Sequence, residues 1–116
     1  MTTPSTGTTI VLALGTAPQE GATVAALRLA EAAMERGHRV AVYAYGAGTR
    51  VGATSCTTGP HVRALLRRGV HGGHLSWVVD DRDPRASEQV PGVVRGDASD
   101  LWHLVREGDV VLGVTG

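Results

Sequence analysis

The sequence lacks phenylalanine, lysine and asparagine, and it has one cysteine, two tryptophans and two tyrosines among 116 residues. Because large aromatic side chains are scarce, we expect a core of alanine, valine and leucine, which suits close packing of helices on a sheet. A single cysteine, Cys56, excludes an internal disulfide bond and favours a cytoplasmic location.

Charge and hydropathy exclude several classes of partner. Eleven arginines balance eleven acidic residues, so no net charge draws the protein to nucleic acid or to a membrane surface. No apolar run reaches membrane-spanning length, and the opening MTTPSTGTT lacks the basic and apolar regions of a signal peptide. We expect residues 1–7 to form a flexible tail and residues 8–116 to form one domain.

Strand-like and helix-like segments alternate along the chain. Short β-branched or aliphatic runs predict buried strands, and Ala- and Leu-rich segments that end at glycine predict helices. The predicted strands span residues 8–15, 38–46, 74–79 and 109–115, and the predicted helices span residues 22–36, 60–69 and 97–108. This alternation predicts an α/β domain with three layers, α/β/α, and a mostly parallel sheet.

Two details of the helices are also predicted. In the first helix, Val24, Leu27 and Met34 are expected to share one apolar stripe. In the second, Gly69 is expected to end the helix. Right-handed crossovers place the loops after the strands at one edge of the sheet, where ligands usually bind. Those loops are residues 15–21, 47–59 and 80–85.

Two long segments carry a family resemblance. They are ATVAALRLAEAAMERGHRVAVYAYGAG, residues 22–48, and DLWHLVREGDVVLGV, residues 100–114. With the Gly-Thr-Ala-Pro turn after the first strand, they resemble the DsrE/DsrF-like family, which includes the DsrEFH and Tus sulfur-relay subunits. The resemblance covers residues 8–116 and implies a DsrEFH-like domain that assembles into homo-oligomers (trimers or hexamers) or into hetero-oligomers of related subunits.

The resemblance also implies a site of sulfur chemistry. In sulfur-relay members, a cysteine at the end of the third strand carries a persulfide between a donor and an acceptor protein. The matching segment here is LSWVVDDRD, residues 75–83, which contains no cysteine. Either Cys56, from the preceding loop, carries the sulfur, or this subunit carries none.

Cys56 itself is a candidate persulfide carrier. It lies a few residues before Pro60, where the second helix is predicted to begin. A helix N-terminus favours the reactive thiolate form of cysteine, and a carrier needs only one thiol. The alternative is a small loop side chain without chemistry.

Gly15, Thr16, Asp80 and Asp81 form a candidate ligand pocket at the carboxyl edge. Free N–H groups in the GTAPQEG turn, residues 15–21, could hold an anion, although no Walker or GxGxxG cofactor motif is present. Asp80 and Asp81 could act in acid–base chemistry or bind a cationic partner. The alternatives are a tight turn and a solvated charged loop.

No metal or cofactor is expected. His71 and His74 precede the third strand and the aspartates follow it, roughly 20 Å away at about 3.3 Å per residue, so they cannot share a site within one subunit. Three functions remain open: a sulfur-relay or sulfurtransferase-like protein using Cys56, a non-catalytic subunit of the same fold, and a small-molecule or anion-binding module.

Overall fold

The computed structural model describes residues 8–72, 74–84 and 86–115, with the backbone alone for residues 70–72. The predicted tail, residues 1–7, lies outside the described residues. The described elements are, in chain order, β1 (Thr9–Leu14), α1 (Gly21–Glu35), β2 (Arg39–Ala44), a 3₁₀ turn (Gly46–Arg50), α2 (Gly59–Gly72), β3 (Leu75–Asp80), β4 (Val94–Gly96), α3 (Ala98–Glu107) and β5 (Val110–Val114).

All of these strands lie in one sheet. Their order is β4-β3-β2-β1-β5, and every neighbouring pair is parallel. The chain steps from β1 to β2 to β3 in one direction, so right-handed crossovers place α1 and α2 on the same face. It then crosses from one sheet edge to the other between β4 and β5, which places α3 on the opposite face. The predicted α/β class, with a parallel sheet between helices, is confirmed.

The core lies between the sheet and the α1–α2 layer. Alternate strand residues point to this face, and they pack against the apolar sides of both helices. The largest buried side chain is Trp77, which is 1% exposed. Strand and helix members of this cluster include Leu12, Leu14, Val42, Leu27, Ala30, Val62, Leu65 and Leu66.

The end of α1 explains why its boundary could be predicted. Gly37 has a φ of +85°, a left-handed conformation that favours glycine. The N–H of Gly37 donates to the carbonyl of Met34, and the N–H of His38 donates to that of Ala33. These two bonds form a Schellman motif, which satisfies carbonyls at the helix end.

The predicted apolar stripe of α1 is partly wrong. Leu27 and Met34 are buried, but Val24 is 42% exposed, and Thr23 is fully buried in its place. The hydroxyl of Thr23 donates to the carbonyl of Ala17 at 2.6 Å, which stabilises the turn that precedes the helix. The buried side of α1 therefore contains Thr23 in place of Val24, one residue away from the position that hydrophobicity alone indicates.

The end of α2 also differs from the prediction, because the helix continues past Gly69 to Gly72. A Cβ atom at Gly69 would lie 2.5 Å from the Cβ of Leu75. The glycine is therefore required for close approach of α2 to the start of β3, and it does not end the helix. The short strand β4 and the 3₁₀ turn were not predicted, because both lie in segments rich in glycine or charge.

The opposite face of the sheet is thinly covered. Helix α3 has ten residues, and none of its side chains is buried. It begins with a capping box in which Asp97 accepts from the N–H of Ser99, and Asp100 accepts from the N–H of Asp97. Trp102 on this helix is 67% exposed, and Val94 and Val111 on the flanking strands are also exposed.

Candidate functional site

The loops after β1, β2 and β3 meet at one edge of the sheet, because these parallel strands are neighbours. The structure places Gly15 and Thr16 directly after β1, Cys56 in the long loop after β2, and Asp80 at the end of β3. This carboxyl edge therefore holds all of the site residues that the sequence suggested.

Asp80 lies in a network with a buried tyrosine and an arginine. Its carboxylate accepts from the backbone N–H of Arg82 at 3.0 Å and pairs with the Arg82 guanidinium at 3.4 Å. Its negative charge also acts on the phenol of Tyr43. Tyr43 is 3% exposed, and its burial, followed by the negative charge of Asp80, raises the pKa of its phenol above the usual 10.0. The phenol of Tyr43 is therefore held in its neutral form.

The other acidic groups at this edge also have partners. Asp81 forms a 2.7 Å salt bridge with Arg95 of β4. The pKa of Asp97 lies below its usual 3.8, because the hydroxyl and the N–H of Ser99 both donate to its carboxylate. With Arg82 and Arg95 interleaved, the edge after β3 carries both signs of charge.

Gly15 and Thr16 form a packed turn. A Cβ atom at Gly15 would lie 2.6 Å from the ring of Tyr45, so this position accepts only glycine without rearrangement. Thr16 is 1% exposed, and its hydroxyl lies 2.5 Å from that of Thr23. The carboxylate of Glu20 accepts from the N–H of Ala17 at 2.9 Å. The carboxylate of Glu20 thus already binds the N–H of Ala17, one of the groups that the sequence predicts to be available to a bound anion.

Cys56 is a partly exposed free thiol in the loop that enters α2. Its backbone is fixed, because its N–H donates to the carbonyl of Ala53 and its carbonyl accepts from the N–H of Gly59. Two residues later, the hydroxyl of Thr58 donates to the carbonyl of Val51 at 2.6 Å. The thiol therefore stands on an ordered turn next to the first residues of a 14-residue helix.

Residues 86–93, here named the strap, hold the Cys56 loop in place. The N–H of Thr54 donates to the carbonyl of Glu88, and the N–H of Val90 donates to that of Gly52. The side-chain amide of Gln89 donates to the carbonyl of Thr49 at 3.0 Å. The strap follows the Asp80 loop in the chain, so it joins the two loops structurally.

Cys56 is separate from the candidate ligand pocket in its hydrogen bonds. Among the described residues, no hydrogen bond or salt bridge joins Cys56 to Gly15, Thr16 or Asp80. The described side chains also include no group of three or more His, Cys, Asp or Glu residues placed to hold a metal ion. His71 lies among the side chains that are not described, and His74 lies at the opposite end of β3 from Asp80.

Sequence reasoning missed Tyr43 and Gln89. Tyr43 lies in the second predicted strand, and its interaction with Asp80 depends on the register that pairs Tyr43 with Val78. That register is a tertiary property without a local signal. Gln89 lies in a charged segment, and nothing around it in sequence indicates that it bonds a residue 40 positions away.

No described helix combines the length and the apolar character that crossing a bilayer requires.

Comparisons with known proteins give a match in structure but none in sequence. No protein-family model and no curated protein matches the sequence. Among solved structures, the crystal structure of the ychN protein from E. coli superposes with a TM-score of 0.72 at 18% identity, over 91% of this chain and 98% of that chain. The chain therefore has the parallel five-stranded, three-helix fold of a DsrE-like protein.

Proposed function

We propose that this protein carries sulfur as a persulfide on Cys56, within an oligomeric assembly. One observation supports this most directly: the only thiol of the chain is partly exposed, on an ordered loop at the carboxyl edge of a DsrE-like fold. Ligands and reacting groups in open α/β sheets usually occupy this edge.

The proposed step is a transfer between sulfur atoms without net oxidation. The thiolate of Cys56 attacks the terminal sulfur of a donor persulfide, so a new S–S bond forms at Cys56 and the donor's S–S bond breaks. The donor leaves as a thiolate, and the terminal sulfur on Cys56 takes up a proton according to pH. Helix α2 starts three residues later, at Gly59.

The test is intact-mass analysis after incubation with a cysteine desulfurase and cysteine. We expect a gain of one sulfur atom in the wild type and none in Cys56→Ser. Alkylation of the untreated protein, in parallel, measures whether the thiol is accessible. No sulfur gain with full alkylation would overturn the carrier role.

A non-catalytic subunit of the same fold is the second candidate. It is favoured by the end of β3, where the resemblance places a cysteine and this chain places Asp80, which pairs with Arg82 and acts electrostatically on Tyr43. This candidate predicts an accessible Cys56 that gains no sulfur.

Both candidates involve assembly with other subunits. The support is the thin α3 layer, in which Trp102 is 67% exposed, together with the exposed Val111 of β5. Large apolar side chains that remain exposed can mark a contact surface. Light scattering should give a mass above that of one chain, and Trp102→Glu should lower it, whereas a monomeric wild type would exclude this proposal.

A further inference from the structure

A groove of about 260 Å³ lies at the amino edge of the sheet, opposite to the Cys56 loop. Its floor comes from the beginnings of β1, β2 and β3, and its wall comes from the last turns of α3. The residues that line it are Thr9, Arg39, Val40, Ala41, His74, Leu75, Ser76, Leu104 and Glu107. Its volume lies just below the ~300–1,000 Å³ of pockets that bind drug-sized molecules.

The strand register explains why polar groups meet there. Thr9 pairs with Arg39, and His74 is next to Arg39 on the other side, since Val40 pairs with Leu75. Residues in register on parallel strands point to the same face, about 4.8 Å apart. Ser76 lies two residues further along β3, on the same face. Three polar donors from two neighbouring strands thus face one groove.

The groove stays open because α3 covers only part of this face. The helix packs on β1 and, like any α-helix, is about 10–12 Å across with its side chains. The sheet is about 24 Å wide, for five strands at about 4.8 Å each. One helix of this width therefore leaves part of this face uncovered, and Arg39 of β2 and Ser76 of β3 are exposed.

Among the residues that the structure describes, the charged groups of the groove have no ion-pair partner. Three other arginines pair with acids: Arg68 with Glu31, Arg82 with Asp80 and Arg95 with Asp81. Within residues 8–72, 74–84 and 86–115, no salt bridge or side-chain hydrogen bond involves Arg39, His74 or Glu107. A cation and an anion thus line one groove, each free to bind a ligand.

We propose that this groove binds a small zwitterion of the α-amino-acid class with an apolar side chain. The planar guanidinium of Arg39 suits a carboxylate, which it can bind through two parallel hydrogen bonds. His74 and Ser76 offer further donors to the same group. Glu107 supplies the acceptor for the ammonium group, and the partly exposed Leu104 supplies the apolar surface.

The experiment is a titration followed by backbone amide NMR, with three probes of matched shape. L-Leucine carries both charges, isocaproate lacks the amino group, and isoamylamine lacks the carboxylate. We expect leucine to shift the amides of Arg39, His74 and Ser76, and both analogues to bind at least about tenfold more weakly, as for loss of a hydrogen bond to a charged group.

Variants separate the two charges. Arg39→Gln should weaken leucine binding about tenfold or more, whereas Arg28→Gln, on the exposed side of α1, should leave it unchanged. Glu107→Gln should weaken leucine binding but strengthen isocaproate binding, because it removes a negative charge that repels the carboxylate.

Three results would overturn the proposal. These are no shift at the groove with any probe, equal binding of leucine and isocaproate in the wild type, and groove amides that shift with protein concentration and not with probe. The last result would assign the groove to a contact between copies of the chain. None of these outcomes depends on Cys56, so this test is independent of the sulfur-carrier role.

Discussion

The rotated stripe of α1 gives a direct test of the packing, by comparing Leu27→Ala with Val24→Ala. Leu27 is 3% exposed, and its truncation removes three carbon atoms from the core, a transfer loss of about 2.4 kcal/mol at about 0.8 kcal/mol each. A void of about 10 Å³ already lies beside this side chain, between Leu12 and Trp77, and would merge with the new cavity. Incomplete collapse raises the expected cost to about 3–4 kcal/mol.

Val24→Ala should behave differently, although it changes an apolar residue of the same helix. The side chain is 42% exposed, and alanine is the better helix former, so we expect a change within about ±0.5 kcal/mol. Urea unfolding followed by circular dichroism measures both variants at two protein concentrations. In a thermal scan, Leu27→Ala should lower Tm by roughly 12–16 °C, at about 4 °C per kcal/mol. Equal losses for the two variants would refute the assigned stripe.

Three further predictions concern a close approach, a buried phenol and a helix cap. Gly69→Ala should destabilise the protein by about 1–3 kcal/mol in urea unfolding, because its Cβ would meet Leu75, whereas Gly21→Ala, with open space around it, should be neutral or stabilising. A titration followed by the near-ultraviolet absorbance of tyrosinate should show one tyrosine that ionises above pH 10.0, and Tyr43→Phe should remove that transition. Because the pKa of Tyr43 is raised in the folded state, the stability that Tyr43 contributes is present below this pH and lost above it. Asp97→Ala should lower Tm at neutral pH, because it removes the N-cap of α3. The difference in Tm from wild type should shrink as the pH falls through the lowered pKa of Asp97, below 3.8. A difference in Tm that stays constant with pH would contradict the role of Asp97 as this cap.

Much of the fold could be predicted because local signals agreed with tertiary structure. The strand β1 and the helix α1 differ from their predicted bounds by only one residue at each end. In α1 the signal is strong, since an alanine-rich segment is followed by Gly37, whose positive φ ends the helix. In β1 an uninterrupted apolar run matches a strand that is covered in the middle of a parallel sheet.

The features that the sequence did not predict correctly are those that tertiary contacts determine. Gly69 has the usual sequence signature of a helix end, but it serves the approach of α2 to Leu75. The strand β4 has only three residues, which is too short for a periodic pattern, and it exists because Val94 pairs with Val78. Hydrophobicity alone could not predict that Thr23 would replace Val24 in the buried stripe.

The candidate site was predictable in position but not in detail. Chain order alone placed Gly15, Cys56 and Asp80 at one edge, since parallel strands end together. The partner of Asp80, Tyr43, depends on strand register, and the strap depends on hydrogen bonds that span about 40 residues. Neither the strand register nor these hydrogen bonds are indicated by the local sequence.

The pairing of β1 with β5 has a consequence for synthesis of the chain. The N–H of Thr9 donates to the carboxylate of Asp109, a contact between residues 100 positions apart. At roughly 5–20 residues per second, a ribosome needs about 5–20 s to make the intervening chain. During that time the unpaired edge of β1 exposes N–H and C=O groups that other chains can bind. We expect nascent chains to depend on a chaperone until β5 has been made.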